Sequence, residues 1–586
     1  IRRCIKMIRI CLFIMISLTC LYSQIDVSNQ LSIKYGDADM KLSELFFTDR
    51  LPDDYNYREI YLDTRLSLNK ENYRLESLLS FEVSDPPEIG LDEEGIREFL
   101  FGFYNDKFSL EVGDIYQTWG RGLLLNQLDY QNLDFNTSSR GVGLQFNNKN
   151  RALNIIMGDT SNRESTTTLG GYNPRVPNYF VDQFIYGADI TLDVAKSNVG
   201  ASFLMVDEKE RLLSHFLINL RVEKAYKDGE LFMSIINKSS ERDSKNIEIF
   251  YPNKDGAGIY ISNTNYLKDW ALTSSYRKFT IDVNDPIMRD NIVENYGQAL
   301  DIQRSPSGFY QHTFRLLSRN SREVNLNDEV GLEMQLLGPI NDNVNISVNY
   351  MKSSSSKRWY NGMGIDSSLW YGDNSSMPSS SQESYPFEEL FIELSGYNAS
   401  GKAFYKVGID FQDQVFNVLS NSAEVKSFEI TQSFTLPFLV SVAINPLWNV
   451  EFQLELQRLK TGFDTTTISD VEGIDDNSTF YSLLSEEYQK NIFLALSANY
   501  KQKWSFNVAH ESTNSDESLL NNSPENSFDS ANQWNSFSMA YKFKSDHTLE
   551  LFYGSIRGGL DCTNGVCRYV QAFDDGIRID YSRNFD

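Results

Sequence analysis

Two cysteines near the C-terminus are the residues whose type and spacing most directly suggest chemistry. Cys562 and Cys567 are separated by four residues, and Asn564-Gly565 lies between them. Asn-Gly favours a tight turn that brings flanking residues together, so a disulfide-closed loop is predicted. A redox-active pair is the alternative, but the spacing is not Cys-x-x-Cys. Two cysteines alone also supply too few ligands for a zinc site.

The most distinctive run in the chain is Gly113–Leu123, which reads GDIYQTWGRGL. It is not a phosphate-binding loop, because it lacks the GKS/T ending and a following helix. We interpret it as a special turn or an inward-folded segment, in which Arg121 pairs with Asp114 or with another interior acid. A constriction residue of a channel is the alternative role for Arg121. The glycines that permit tight backbone geometry here are Gly113, Gly120 and Gly122.

No catalytic or metal-binding motif is found in the sequence. GxSxG and HExxH are both absent. A hydrolase that brings His510 together with a serine and an acid from neighbouring strands is kept as an alternative. The acid-rich stretches Asp85–Glu94 and Asp470–Asp476 lack EF-hand spacing, so solvated loops are predicted there rather than calcium sites. The prediction is therefore no enzyme, no cofactor and no metal site. The four histidines, all in or beside ordinary strand patterns, are His215, His312, His510 and His547.

The N-terminus predicts export from the cytoplasm. Residues 1–23 have a positive start followed by the short apolar stretch Ile10–Leu18, as a secretory signal peptide has. Cleavage is expected near Ser23, which leaves Gln24 first; lipidation at Cys20 is the alternative. Removing the leader takes away four positive charges and no acid, so the net charge changes from −26 to −30. Only Cys562 and Cys567 then remain, an even pair in an oxidising compartment.

Composition narrows the class of protein. The 586 residues include 54 Lys plus Arg against 80 Asp plus Glu. This acidic balance excludes nucleic acid as a partner, because binding it requires a basic surface. Aromatic residues are abundant (38 Phe, 32 Tyr and 7 Trp), and no linker-like segment divides the chain. Since a single hydrophobic core rarely exceeds ~300 residues, one very large β structure fits better than an ordinary soluble domain.

Alternating residues indicate how that β structure is built. In Val450–Leu456, apolar residues alternate with Glu and Gln, which gives a strand one apolar and one wet face. Connections alternate between tight ones such as Ser545–His547 and long ones such as Arg557–Gly576, and aromatics crowd the strand ends. These are features of transmembrane barrels. We therefore predict that residues 24–586 form an all-β fold, a single large antiparallel transmembrane β-barrel of roughly 22–26 strands.

Some segments depart from this regular pattern. Strands are predicted to begin by about Tyr57, and Gln412–Ala423 is predicted as a connection of intermediate length. Alternation is lost around Thr280–Ser307, where a short turn is expected. Either a strand pair has been missed there, or this segment folds into the lumen, which is the interior of the barrel.

Three runs resemble those of an uncharacterised outer-membrane β-barrel family of Bacteroidota. They are Gly113–Leu123, Ser139-Arg-Gly141, and Tyr553–Tyr569, which contains both cysteines. In that family a Gly-Asp-x-Tyr-x-x-x-Gly-x-Gly-Leu run comes early in the chain, and a run with two cysteines comes just before the last strand. Asn564 stands where the family has Gly, a mild change within a turn. The resemblance implies a barrel in the outer membrane, and it supplies no known activity and no catalytic residues.

The expected function is that of a channel or a transport-related, porin-like protein in the outer membrane of a Gram-negative cell, with an acidic lumen that disfavours anions. The main alternative is a non-conducting accessory barrel of a larger assembly, which would dock partners on external loops such as Ser353–Phe387. The expected partners are outer-membrane lipid and lipopolysaccharide, the barrel-assembly machinery and other outer-membrane proteins.

Overall fold

Almost all of the described chain is β-strand. The protein is described here from a computed structural model, and among the described residues no helix has the length and hydropathy needed to cross a membrane. The predicted signal peptide, residues 1–23, lies outside the described part. The described residues are 25–39, 54–131, 135–164, 177, 179–208, 213–242, 256–281, 300, 302–304, 312–319, 328–361, 368–371, 374–421, 425–467, 489–514, 532–544, 546–563, 566–570 and 572–585.

Twenty-four strands form one closed antiparallel sheet. Each pairs with its neighbours in chain order, and the sheet closes because β1 pairs with both β2 and β24, as in Asn29 opposite Phe585. The predicted barrel of 22–26 strands is confirmed. The strands are β1 Ile25–Asp39, β2 Asp54–Lys70, β3 Tyr73–Ser84, β4 Glu93–Tyr104, β5 Phe108–Ile115, β6 Ser139–Asn148, β7 Arg151–Glu164, β8 Tyr179–Val194, β9 Ser197–Glu208, β10 Leu213–Tyr226, β11 Gly229–Arg242, β12 Gly256–Leu267, β13 Trp270–Thr280, β14 Glu329–Asn341, β15 Val344–Ser354, β16 Phe387–Tyr397, β17 Ala403–Asn421, β18 Val425–Asn445, β19 Trp448–Thr467, β20 Gln489–Tyr500, β21 Trp504–Thr513, β22 Gln533–Lys544, β23 His547–Ile556 and β24 Phe573–Phe585.

The two faces of each strand differ because successive side chains point to opposite sides. In β10, His215 and Asn219 face the lumen and are buried, whereas Phe216, Ile218 and Leu220 face outward and are exposed. The same outward exposure of large apolar side chains recurs on strands around the circumference. The barrel therefore carries an apolar outer surface and a buried inner face with many polar side chains.

Connections alternate in length, as predicted. At the end that also holds the start of β1 and the end of β24, the connections are two to five residues long. In one of them Ala195 and Lys196 both have positive φ, as the type I′ hairpin turn requires. Most connections at the other end are much longer. The predicted connection Gln412–Ala423 is wrong, because β17 continues to Asn421.

The first predicted strand was placed too late. β1 begins at Ile25, directly after the predicted signal peptide, and its apolar residues Val27, Leu31 and Ile33 alternate with polar ones. The irregular region after Thr280 contains no barrel strand among its described residues. It is instead part of the connection between β13 and β14, and its described residues lie inside the barrel.

Candidate functional site

The candidate site is the lumen, where two connections from the same barrel end fold inward. The first is the connection between β5 and β6, which contains the Gly-Asp and Gly-Arg-Gly residues. The second is the connection between β13 and β14. We call the described residues Trp119–Leu125 the first inward segment and the described residues His312–Arg319 the second inward segment.

Gly113 and Asp114 end the pairing of β4 with β5. Gly113 has φ +125°, and a Cβ there would lie 2.1 Å from the carbonyl oxygen of Phe99, so only glycine fits. The carboxylate of Asp114 accepts the backbone N–H of Phe99 at 2.8 Å. It also accepts two hydrogen bonds at 3.0 Å from the guanidinium of Arg140. Asp114 therefore stabilises the strand end where the chain leaves the wall.

The predicted pairing of Asp114 with Arg121 is wrong. Asp114 shares the outward face of β5 with Val112, and its partner Arg140 is the opposing residue on β6. Arg121 instead contacts a lumen-facing acid, as the second part of the prediction allowed. Its Nη2 lies 2.8 Å from Glu223 Oε1, and its guanidinium lies 3.9 Å above the ring of Phe232. The alternative role of Arg121, as a residue that narrows a channel through the lumen, stays a prediction.

Gly120, Arg121 and Gly122 form a left-handed turn. Their φ values are 63°, 54° and 89°, a run that is costly for residues with a side chain. Close approach adds a second requirement, because a Cβ on Gly122 would lie 2.4 Å from the carbonyl oxygen of Arg304. The prediction of a special turn in an inward-folded segment is confirmed.

The first inward segment is held by an apolar cluster. Leu123, Leu124 and Leu125 are 0% exposed, and Trp119 is 2% exposed. Burying side chains of this size contributes about 1.5–3 kcal/mol each. On the arc of the wall from β7 to β13, the inward positions that pack on this segment are apolar, although other inward positions of the same strands, such as His215 and Asn219, are polar. The wall residues of this cluster are Ile156, Ile185, Leu204, Val206, Leu217, Phe232, Ile236, Tyr260 and Phe279.

The connection between β13 and β14 begins on the same arc and bonds to the first inward segment. Asn126 donates its N–H to the carbonyl oxygen of Ile302 at 2.7 Å, and Arg304 donates its N–H to that of Gly122 at 3.0 Å. The side-chain amide of Gln303 donates to the carbonyl oxygen of Leu123 at 3.0 Å. Leu300 and Ile302 join the apolar cluster. The two connections are therefore one hydrogen-bonded unit at this point.

The second inward segment lies on a different arc, from β16 to β21. It contains a short helix, α1 (Arg315–Ser318). The carboxylate of Glu455, 0% exposed on β19, accepts the N–H groups of Arg315 and Leu316, each at 2.8 Å. These are helix-terminal donors that have no partner within a helix. Glu455 therefore anchors the start of α1 to the wall.

A cluster of charges holds the other side of this segment. Glu511, on β21, is 3% exposed and faces three guanidinium groups. Arg319 Nη1 lies 2.9 Å from Glu511 Oε1, Arg315 Nε lies 3.3 Å from Oε2, and Arg557 Nη1 lies 3.4 Å from Oε1. Apolar contacts are smaller here than in the first segment: Leu316 packs on Phe493 and Ala495, and Leu317 lies in the cluster with Phe391.

Burial shifts the pKa of two groups that lie just outside the barrel strands, one after β5 and one before β14. Burial raises the pKa of the Tyr116 phenol, which follows β5. Burial also raises the pKa of the Asp328 carboxyl, which precedes β14, and hydrogen bonds from Ser356 and Lys357 act in the opposite direction. These bonds tie the connection between β15 and β16 to the end of the second inward connection.

Within the described residues, His510 does not meet the serine and acid that the hydrolase alternative requires. His510 lies on the outward face of β21 and bonds the amide oxygen of Asn535 at 2.7 Å. A serine, a histidine and an acid do meet elsewhere: His215 Nδ1 lies 2.8 Å from Ser240 Oγ, and its Nε2 lies 3.5 Å from Glu208 Oε1. Ser240 is only 6% exposed, so its hydroxyl is closed to a substrate in this arrangement.

The two cysteines occupy opposite positions in a two-stranded hairpin that follows β23 and contacts α1. Its strands are Gly559–Thr563 and Val566–Val570, and the register places Cys562 directly opposite Cys567. Opposed residues of an antiparallel pair have Cα atoms ~4.5–5.5 Å apart, within the range that a disulfide spans. The turn residues Asn564 and Gly565 lie outside the described part. The disulfide stays a prediction that this register favours.

Among solved structures, the chain is similar to several outer-membrane proteins at low sequence identity. One is the FrpB iron transporter from Neisseria meningitidis, with a TM-score of 0.44 and 9% identity over 96% of this chain and 82% of that one. It is similar to the siderophore receptor PirA from Pseudomonas aeruginosa, with a TM-score of 0.40 and 6% identity over 96% and 80%. For the outer membrane protein OprD of Pseudomonas aeruginosa the values are 0.33 and 11%, over 66% and 88%.

Sequence comparison places the chain in a family. No protein with a curated description matches it. A model of a family of unknown function, DUF6029, matches residues 23–585. The predicted resemblance to an uncharacterised family is therefore confirmed, whereas its assignment to Bacteroidota stays a prediction. Since the match covers nearly the whole sequence, the chain belongs to the DUF6029 family.

Proposed function

We propose that this protein is an outer-membrane β-barrel that moves small solutes across that membrane through a lumen gated by its inward segments. A closed barrel leaves no unpaired sheet edge, which is the condition for a β structure in lipid. The apolar outer surface, formed by residues such as Ile218, Leu220 and Ile235, would be costly in water and is favourable against acyl chains. Outer-membrane lipid and lipopolysaccharide are the proposed surroundings.

The need for a gate follows from the size of the barrel. Barrels of 16–18 strands already enclose a water-filled channel, and larger ones are plugged. The observation that carries the proposal is where the described parts of the connection between β13 and β14 attach to the barrel. The connection bonds to the first inward segment at Gly122, on one arc of the wall, and to Glu455 and Glu511 on another. Because these two described parts of one connection are fixed on different arcs, the connection is proposed to block solutes and to open the lumen when one attachment is released.

The charge of the lumen sets the expected selectivity. Lumen-facing acids occur on distant parts of the wall, such as Glu59 on β2, Glu393 on β16 and Glu455 on β19, and the whole chain carries a charge of −26. Acidic rings favour cations over anions in a pore. We expect cations and neutral solutes of similar size to pass faster than anions.

Proteoliposomes that contain purified, folded protein test this function. We expect slow entry of a small sugar with the natural protein and much faster entry with the Glu511→Gln variant, which removes the acid that the three arginines share. Glu550→Gln, a change at an exposed lumen-facing acid of β23, is the matched control and should behave like the natural protein. A cation should enter faster than an anion of equal size.

Absence of solute entry would support the alternative of a non-conducting accessory barrel. Protein that is folded, as shown by its heat-dependent gel mobility, and yet admits no solute in any of the three forms would exclude transport through the lumen. Surface labelling of intact cells at the connection between β15 and β16 gives an independent test of the location. The long connections are proposed to face the outside of the cell, so labelling only after the outer membrane is broken would contradict this orientation.

A further inference from the structure

A histidine and two carboxylates meet where the second inward segment reaches the wall. His312 precedes α1, Glu389 lies on β16 and Asp410 lies on β17. One potential ligand atom from each lies within 4.8 Å of the other two. His312 Nε2 is 2.8 Å from Glu389 Oε1. Glu389 and Asp410 are lumen-facing diagonal neighbours, because Phe391 is paired with Asp410 and Glu389 with Gln412.

Asp410 is the unusual member of this group. It is 0% exposed, and within the described residues neither of its carboxylate oxygens has a hydrogen-bond partner. The residues paired with it on the two adjoining strands, Phe391 and Thr435, are also 0% exposed. Buried carboxylates are almost always hydrogen-bonded or paired with a positive charge. A second carboxylate beside it, Glu389, makes the need for a positive charge greater.

We propose that His312 Nε2 and one carboxylate oxygen each from Glu389 and Asp410 bind a divalent transition-metal cation of the zinc type. Imidazole and carboxylate are ligands that zinc accepts, and three protein ligands with one water complete a tetrahedron. With bonds of ~2.0–2.2 Å, ligand atoms on one zinc ion are about 3.4 Å apart. Shifts of about 1 Å or less therefore convert the observed cluster into a ligand set. The two carboxylates and the dication sum to zero charge.

The surroundings already orient these ligands. The ring of His312 meets that of Phe391 edge-on, with centroids 4.7 Å apart and an interplanar angle of 90°. Phe314 and Leu317 pack on the same Phe391 and keep the group away from water. The bound ion would join the second inward segment to β16 and β17. This attachment is separate from those that the same segment makes with Glu455 on β19 and Glu511 on β21. The site follows from these residues alone and does not depend on the transport proposal.

Metal content and thermal stability of the purified barrel test this site. Protein treated with chelator, then supplied with zinc ion and dialysed, is analysed for zinc. We expect ~1 zinc per chain for the natural protein, and at least ~10-fold weaker binding for His312→Gln and Asp410→Asn. His510→Gln is the matched control, because that histidine faces outward and bonds Asn535; it should keep the metal. Zinc ion should also raise the melting temperature of the natural protein and of the control only.

Two results would overturn the proposal. One is a natural protein that retains no zinc above the level of both ligand variants. The other is zinc retention that is equal in all four proteins. Asp410→Asn keeps the shape of the side chain, so heat-dependent gel mobility can verify that it folds. If it folds and gains stability with no change in zinc content, Asp410 is a protonated buried acid rather than a ligand.

Discussion

The two inward segments are held to the same wall by different forces. Around Leu123 and Leu124 the contacts are apolar, and the wall residues opposite them are apolar as well. Around Arg315 and Arg319 the wall supplies Glu455 and Glu511 instead. Apolar contacts are many and non-directional. Removing one partner of a buried ion pair, by contrast, leaves the other charge buried and unpaired, which is strongly destabilising. The first segment should therefore behave as a fixed part of the barrel and the second as the releasable part.

The largest expected effect is loss of the acid that holds the second segment. Glu511→Gln leaves three guanidinium groups without their carboxylate, and breaking a buried pair costs about 3–5 kcal/mol. Hydrogen exchange at the amides of Leu316 and Leu317 measures this local opening. We expect exchange to quicken by about two to three and a half orders of magnitude, at ~1.4 kcal/mol per factor of ten. Unchanged exchange there, or an equal effect of Glu550→Gln, would contradict the account.

A somewhat smaller effect on hydrogen exchange is expected from a change in the first inward segment. Leu124→Ala removes a fully buried side chain, which costs about 2–5 kcal/mol. The expected result is faster exchange in the first segment and in Ile302–Arg304, with little change at Leu316. Leu220→Ala is the control, since that side chain is 57% exposed on the outer surface. Equal loosening of both segments would show that the lumen unfolds as one unit.

Gly122→Ala tests the junction of the two connections. Alanine there must adopt φ +89° and place its Cβ against the carbonyl oxygen of Arg304; such strain costs about 1–3 kcal/mol. Gly401→Ala is a matched control, because Gly401 has φ +68° but a Cβ there would contact nothing within 4 Å. We expect the junction variant to be the less stable of the two in denaturant unfolding. Equal stability of the two variants would contradict the claim that the close approach of the Arg304 carbonyl oxygen requires glycine at position 122.

The smallest effect is expected from the cysteine pair. The hairpin Gly559–Val570 forms a small sheet of its own, and its first strand contacts α1 rather than the first inward segment. Cys562→Ser should therefore leave exchange in the first inward segment unchanged. Mass spectrometry after alkylation without reductant checks the bond itself. We expect no alkylation of Cys562 or Cys567 until a reductant is added. Full alkylation of protein freshly isolated from the cell envelope would show that the pair is not oxidised.

The strands of this fold could be predicted from sequence, because each strand carries its own signal. Alternation over Val450–Leu456 is a local property, and it identified β19 directly. β1 was missed although its sequence does alternate, with Val27, Leu31 and Ile33 on one face. The end of β17 was missed since polar residues such as Gln412 and Asn417 read as a loop. Here pairing with the neighbouring strands outweighs local preference.

The lumen could be predicted only in part. Glycines and three successive leucines in Gly113–Leu125 indicate a buried turn outside the strand pattern, and the structure agrees. The partner of Arg121 could not be chosen, because Glu223 is about a hundred residues away and only the register of β10 brings it near. His312, Glu389 and Asp410 likewise have no spacing that a motif could recognise. They meet only because a long connection folds back onto two neighbouring strands.

Single-channel recording in a planar bilayer tests the central claim most directly. Natural protein and the Glu511→Gln variant are compared at the same ionic strength, each verified as folded. The account predicts that the natural protein stays mostly in a state of low conductance. The variant should add large, cation-favouring steps as its second inward segment leaves the wall. Large, steady steps from the natural protein that Glu511→Gln does not change would show that the inward segments do not gate the lumen.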